Sequence, residues 1–116
     1  MDNFINDFML GNLGVFKGVE CFIYYDAPLL FSAKDKNSNL FIALFVDYPD
    51  RYFFLPVSEN KLQEFKDKKH DILSMFTNSE YFYDVNFGIS GNPIKITIDD
   101  IDKNEFLPEA GLFLFD

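Results

Sequence analysis

The order of apolar and polar residues along the chain changes period twice, and each period predicts a different kind of element. In the first part, short stretches rich in β-branched and aromatic residues are separated by turn-forming Asp, Asn and Pro. Strands are predicted over residues 19–25, 29–34, 40–46 and 51–57. Because tight turns connect them, these four strands are predicted to form an antiparallel meander.

The pattern then becomes helical and later returns to strand. Ser58 is a suitable N-cap for a helix over residues 59–69, and Asp71 is suitable for a second short helix over residues 72–76. Two further strands are predicted, over residues 81–87 and 94–98. This order of elements predicts an α+β fold: a twisted, mostly antiparallel sheet with one or two helices packed on one face.

The apolar residues near the two ends of the sequence also predict elements of structure. Residues 2–10 could form a short helix that Asp2 caps and Gly11 ends. The apolar residues 112–115 are expected to form a last strand or to pack under the sheet. With 116 residues and no linker, we expect one α+β domain over residues 1–116.

The charge composition of the chain favours some classes of binding partner over others. Nineteen Asp and Glu against ten Lys and Arg give a net charge of −9, which disfavours direct binding to nucleic acid or to an anionic membrane. An acidic protein can instead bind a basic surface on another protein. The single cysteine, Cys21, leaves no internal disulfide, and neither a signal peptide nor a membrane span is recognisable, so a cytoplasmic location is expected.

Candidate catalytic and metal-binding residues are few. One histidine, His70, and one cysteine do not make a zinc site, and Ser58 is better explained as a helix cap than as a nucleophile. The acidic residues that follow residue 98 lack the glycine and the flanking helices of an EF-hand. We therefore predict no catalytic residue, no metal and no cofactor. The alternative is a small hydrolase or ligand-binding domain that uses the turn carboxylates Asp26 and Asp50.

Three segments carry a resemblance to a known family. They read YYDAPLLF at residues 24–31, LFIALFVD at 40–47 and FLPVSENKL at 54–62. With residues 13–22 before them, they resemble a bacterial domain family of unknown function over about residues 13–85. The resemblance implies four strands followed by a helix and a prokaryotic or phage setting. It transfers no catalytic residue.

The tyrosines suggest where a partner would bind. All six lie in or beside predicted strands, and tyrosine is common both at protein interfaces and at the margins of cores. Both interpretations stay open. We predict partner-binding residues at one end of the sheet and in a second, acidic patch: Tyr24, Asp26, Tyr48, Asp50 and Tyr52, with Asp99, Asp100 and Asp102.

The function predicted from these features is that of a non-enzymatic, acidic protein-binding module. It would inhibit or regulate a partner with a basic surface, as antitoxins, immunity proteins and anti-defence inhibitors do. A second alternative is a structural subunit or homodimer, built through an exposed sheet edge or through residues 112–115.

Overall fold

The computed structural model describes residues 7–25, 28–47, 50–77, 79–87 and 92–97. Within these ranges the chain forms strands and two α-helices, with a 3-10 turn at Gly11–Leu13. The strands are β1 (Phe8–Met9), β2 (Val15–Tyr24), β3 (Pro28–Asp35), β4 (Leu40–Asp47), β5 (Arg51–Pro56), β6 (Tyr81–Asn86) and β7 (Ile94–Thr97). The helices are α1 (Glu59–Lys66) and α2 (Ile72–Thr77).

The strands form a curled sheet in which spatial order follows chain order from β1 to β7. Every neighbouring pair is antiparallel. The predicted α+β class and the antiparallel sheet with its N-terminal meander are therefore confirmed. The continuously apolar β4 is the central strand in this order, and its neighbours β3 and β5 pair with it along most of its length.

Alternate residues of the strands divide between two apolar clusters. Along β4, for example, Ile42 belongs to one cluster and Phe41 and Ala43 belong to the other. The helix cluster contains side chains from both helices: Phe22, Leu30, Ile42, Phe53, Leu55, Phe65, Met75, Phe76 and Phe82. The aromatic cluster has the following buried members: Leu10, Phe16, Phe31, Ala33, Phe41, Ala43, Tyr52, Phe54 and Val85.

Side-chain caps hold the ends of the elements as the sequence predicts. The Ser58 hydroxyl accepts a hydrogen bond from the Lys61 amide at 3.1 Å, and the Asp71 carboxylate accepts one from the Ser74 amide at 2.7 Å. In the β3–β4 turn, one carboxylate oxygen of Asp35 accepts the amides of Asn37 and Asn39 at 2.9 Å each. These local bonds satisfy backbone donors that the helix or ladder leaves without partners.

Some predicted boundaries are wrong. Phe8–Met9 is a strand and not the end of a helix, because its pairing with β2 lets the Phe8 ring stack 5.9 Å from the Phe16 ring, centroid to centroid. The first helix ends at Lys66 rather than residue 69, since Lys68 adopts a left-handed φ of 62°. The predicted helix residues 2–6, strand residue 98 and the predicted strand at 112–115 lie outside the described residues.

In the described part of the chain, neither helix has the length or the apolar character needed to cross a membrane.

Candidate functional site

One strand carries most of the apolar side chains that face solvent. Eight large apolar side chains are exposed in the ranges that the structure describes, and five of them lie on β2 or directly after it. We call these five the β2 row: Val15, Val19, Ile23, Tyr24 and Tyr25. Tyr25 is 76% exposed and Tyr24 is 49% exposed. Such a concentration on one strand is a surface suited to covering by another molecule.

The pairing of β2 explains why its side chains are exposed. The short strand β1 pairs only with Val15 and Phe16, so from Lys17 onward β3 is the one neighbouring strand among the described residues. The β2–β3 ladder also shifts register at three places between Gly18 and Tyr24. Bulges of this kind interrupt the strict alternation of side chains between the two faces. As a result, Cys21 packs against the aromatic cluster, whereas Val19 and Ile23, two positions to either side of it, stay exposed.

The structure places three of the predicted partner-binding residues at one end of the sheet, where β2 ends and β5 begins. Tyr24 pairs with Pro28, and the Pro28 carbonyl accepts the Tyr52 hydroxyl at 2.8 Å. Asp50 directly precedes β5 and is exposed. The remaining predicted residues lie outside the described part of the chain: Asp26, Tyr48, Asp99, Asp100 and Asp102.

Tyr52 differs from Tyr24 because its ring is buried. It is 6% exposed, and its ring centroid lies 5.8 Å from that of Phe31 and 5.5 Å from that of Phe45. Burial, together with the negative charge of Asp50, raises the pKa of the Tyr52 hydroxyl. The ring packs in the aromatic cluster, so we leave Tyr52 out of the surface that we propose below.

A cleft lies where the curl of the sheet brings the chain around β1 towards β6 and β7. Its volume is about 540 Å³. The Asn12 amide donates a hydrogen bond to the Asn92 side-chain oxygen at 2.8 Å across it. We call it the β1–β7 cleft, and these residues line it: Met9, Leu10, Gly11, Arg51, Asp84, Val85, Asn86, Phe87, Asn92, Pro93 and Ile94. The three exposed apolar side chains outside the β2 row, Met9, Phe87 and Ile94, all line this cleft.

The charged groups of the β1–β7 cleft are an ion pair. The Arg51 guanidinium donates two hydrogen bonds to Asp84, from Nε to Oδ1 at 2.9 Å and from Nη2 to Oδ2 at 2.6 Å. The two side chains are 26% and 13% exposed. This paired geometry is the strong form of the Arg–carboxylate contact, and the two formal charges cancel.

A second cleft, of about 580 Å³, lies near the β3–β4 turn and has aromatic walls that include Phe41, Tyr81 and Tyr83. The carboxylate among the residues that line this second cleft is that of Asp35. Burial alone would raise the pKa of Asp35, but hydrogen bonds from Asn39 and Asn37 outweigh it and lower the pKa. A general acid needs a raised pKa, so Asp35 is not suited to that role. For the hydrolase alternative, Asp26 lies outside the described residues, so the Asp26–Asp50 pair is not described.

Other candidate chemistry is equally sparse in the described ranges, which contain no group of three His, Cys, Asp or Glu side chains arranged to hold a metal ion. His70 instead forms a hydrogen bond with Glu64, with 3.0 Å between Nε2 and Oε2. Cys21 is half-buried, and burial raises the pKa of its thiol, which disfavours the thiolate that a nucleophile needs.

Comparison with known proteins places the chain in a family. A family model described as "Family of unknown function (DUF6575)" matches residues 1–115. The chain belongs to this family. The match confirms the resemblance to an uncharacterised domain family and extends it from residues 13–85 to nearly the whole DUF6575 chain. Comparisons with curated proteins and with solved structures give no match.

Sequence reasoning missed the β1–β7 cleft of this DUF6575 chain. The sequence predicts a helix at Met9, the end of a strand at Phe87 and the start of a strand at Ile94. The exposure of Ile94 had one local signal, the neighbouring Pro93, because proline favours an edge position in a sheet. No local signal places Met9 beside residues more than eighty positions later in the chain.

Proposed function

We propose that this protein is a non-enzymatic protein-binding module that inhibits or regulates a macromolecular partner, and that the β2 row is its contact surface. The observation that carries the proposal is the exposure of five large apolar side chains on one strand and the residue after it. Exposed apolar and tyrosine side chains gain free energy when a partner covers them, and tyrosine loses little conformational freedom in doing so.

The fold supports this choice of surface. We propose that α1 and α2 cover the face of the sheet that carries the helix cluster, since Phe65, Met75 and Phe76 from the helices are buried among its side chains. Away from the β1–β7 cleft, the exposed apolar surface of the described residues is then the β2 row. Tyr24 lies within that surface, and Asp50 lies at the same end of the sheet.

Charge supports a basic partner. The described residues are close to neutral, with eleven Asp and Glu against nine Lys and Arg. Six of the nineteen carboxylates instead fall in residues 98–116, with a single lysine. Asp99, Asp100 and Asp102 belong to this acidic stretch and stay predicted contacts. We expect long-range attraction to speed encounter with a basic surface, and the β2 row to hold the complex once it has formed.

A double variant of the β2 row tests the proposal. Val19→Lys with Ile23→Lys places positive charge at two exposed positions of the row, which a basic partner would repel. When the affinity-tagged protein is used to recover partners from its native host, the partner bound in stoichiometric amount by the wild type is expected to be lost. Buried interface charges without partners are strongly unfavourable, so the loss should be near complete.

The matched control for this experiment is Asn60→Lys, which adds a positive charge at an exposed position of α1. It should recover the partner as the wild type does, and all variants should show wild-type thermal unfolding. Recovery of no stoichiometric partner by the wild type would contradict the proposal. So would equal recovery by the double variant and the control.

The homodimer alternative has one observation in its favour. From Lys17 to Tyr24, β2 has a strand on one side only among the described residues, and such edges can pair with a second copy. Light scattering at two concentrations distinguishes the cases. A mass that doubles with concentration in the wild type but not in the Val19→Lys, Ile23→Lys protein would favour self-association through β2.

A further inference from the structure

The β1–β7 cleft has the construction of a pocket for one large apolar side chain. Its buried members, Leu10 and Val85, are 1% and 5% exposed, while Met9 and Ile94 are 60% and 62% exposed. A volume of about 540 Å³ is within the range of ligand pockets and gives room for a large side chain together with the backbone that carries it. Apolar atoms that water now contacts would therefore be buried if such a side chain entered.

Two exposed carboxylates, Asp50 and Asp7, lie near lining residues of the cleft, Asp50 through a backbone hydrogen bond and Asp7 in the sequence. Arg51 is the one Lys or Arg among the residues that line the cleft, and its charge is already matched by Asp84. Lys95 follows Ile94 but lies 4.2 Å from the centre of the Tyr81 ring, a wall of the second cleft. Asp50 is exposed, and its carbonyl accepts the Phe87 amide at 3.0 Å. Asp7, two residues before Met9, is exposed as well.

We infer that the β1–β7 cleft binds an apolar side chain of the partner that is flanked by Lys or Arg. This inference rests on the proposed function and names the feature of the partner that the protein would recognise. The apolar rim and buried floor would take the central side chain, and the Asp50 and Asp7 carboxylates would attract the flanking cations.

The position of the cleft favours a segment of the same partner that covers the β2 row. Met9 lines the cleft and is the Cα partner of Val15, the first residue of the row. The two apolar surfaces are therefore adjacent across the β1–β2 pair. One protein partner can cover the row and place an apolar side chain in the cleft, as anchor residues do at many interfaces.

The test uses three N-acetylated, C-amidated tripeptides as probes: Arg-Phe-Arg, Arg-Ala-Arg and Glu-Phe-Glu. Binding is followed by NMR on the wild-type chain, through the methyl signals of Ile94 and Met9. Arg-Phe-Arg is expected to shift both signals in a saturable way. Arg-Ala-Arg and Glu-Phe-Glu should each bind at least roughly tenfold more weakly, since one lacks the apolar group and the other the cations.

Variants locate the binding. Ile94→Ser and Met9→Ser remove apolar surface at two exposed positions, and each should weaken Arg-Phe-Arg binding by roughly tenfold. Asp50→Asn should weaken Arg-Phe-Arg more at low salt than at high salt and leave Glu-Phe-Glu binding no weaker. Val19→Ser is the matched control, because it removes a similarly exposed apolar side chain outside the cleft, and it should leave peptide binding unchanged.

The outcomes separate this inference from the proposed function. Saturable Arg-Phe-Arg binding that Ile94→Ser abolishes supports the cleft even if the β2-row variant still recovers its partner, which would count against the function alone. No saturable shift at Ile94, or equal binding of the three peptides, overturns the inference. So does equal weakening by Val19→Ser and Ile94→Ser. If the peptide results overturn the inference but the β2-row variant still loses the partner, the proposed function remains supported without the cleft.

Discussion

Most of the phenylalanines in the described residues are buried, whereas the tyrosines lie both in the interior and at the surface. Of the twelve phenylalanines in the described ranges, nine are buried in the two clusters. The high phenylalanine content is thus used mainly to fill the interior, where edge-to-face pairs such as Phe76 with Phe82, 5.2 Å apart, add to the burial of apolar area. Tyr24 and Tyr25 are exposed, so tyrosine rather than phenylalanine supplies the aromatic part of the β2 row.

Tyr52 provides a test of structural role at the scale of one residue. Tyr52→Phe keeps the buried ring but removes the hydrogen bond to the Pro28 carbonyl, and should lower the free energy of unfolding by about 1 kcal/mol. Urea denaturation measures the change. Tyr25→Phe, at a position 76% exposed, should leave stability unchanged. If Tyr52→Phe weakens partner recovery without changing stability, Tyr52 is a contact residue after all.

At the scale of elements, helix α1 is held at both ends by side-chain hydrogen bonds. Ser58 caps its start, and beyond its end His70 is bonded to Glu64 of the last turn. The hydrogen bond from His70 is the main reason that the pKa of Glu64 lies below its ordinary value of 4.5. Folding therefore favours the charged form of Glu64.

The lowered pKa of Glu64 makes stability depend on pH in a defined direction. A carboxyl with a depressed pKa in the folded state stabilises the fold fully above its ordinary value, and this contribution is lost as the pH falls below 4.5 through the folded-state pKa. Urea denaturation over a series of acidic pH values should show a shallower loss of stability for Glu64→Gln than for the wild type. Glu80→Gln, with the same change of charge, is the control, and parallel curves for wild type and Glu64→Gln would refute the link.

At the scale of the whole molecule, the curl of the sheet brings the first strand to the rings of distant strands. The Phe8 ring of β1 lies 5.9 Å from the Phe54 ring of β5 and 5.8 Å from the Phe87 ring that follows β6. Strand order alone would separate β1 from β5 by three intervening strands. The curl thus encloses the aromatic cluster and, at the same time, forms the β1–β7 cleft.

Phe54 lies at the centre of the rings that this curl brings together. It is fully buried, and its centroid lies 5.9 Å from each of the Phe8, Phe16 and Phe31 centroids. Phe54→Ala should lower the free energy of unfolding by roughly 3–5 kcal/mol, because it leaves a cavity among rings from several strands. Phe87→Ala, at a position 41% exposed, should cost clearly less in the same urea denaturation experiment. Equal losses would show that the cluster is not centred on Phe54.

Local features of the fold could be predicted from the sequence because each depends on residues only a few positions apart. The unbroken apolar run over residues 40–46, the Ser58 and Asp71 caps and the turn at Asp35 each depend on residue types or hydrogen bonds inside a short window. The α+β class follows from adding these elements in order. The assignment failed at Phe8, where the short window favoured helix and contact with distant rings favoured strand.

The tertiary structure alone decided which side chains reach the surface together. Tyr24 and Tyr52 look alike in sequence, yet one is exposed at the end of β2 and the other is buried among rings. Met9 and Ile94 share a cleft although 85 positions separate them in the chain. The physical reason is that the exposure of a side chain depends on how bulges and curl bring distant strands together. The packing that results is stabilised by many weak contacts spread over the whole sheet, so no single segment determines it.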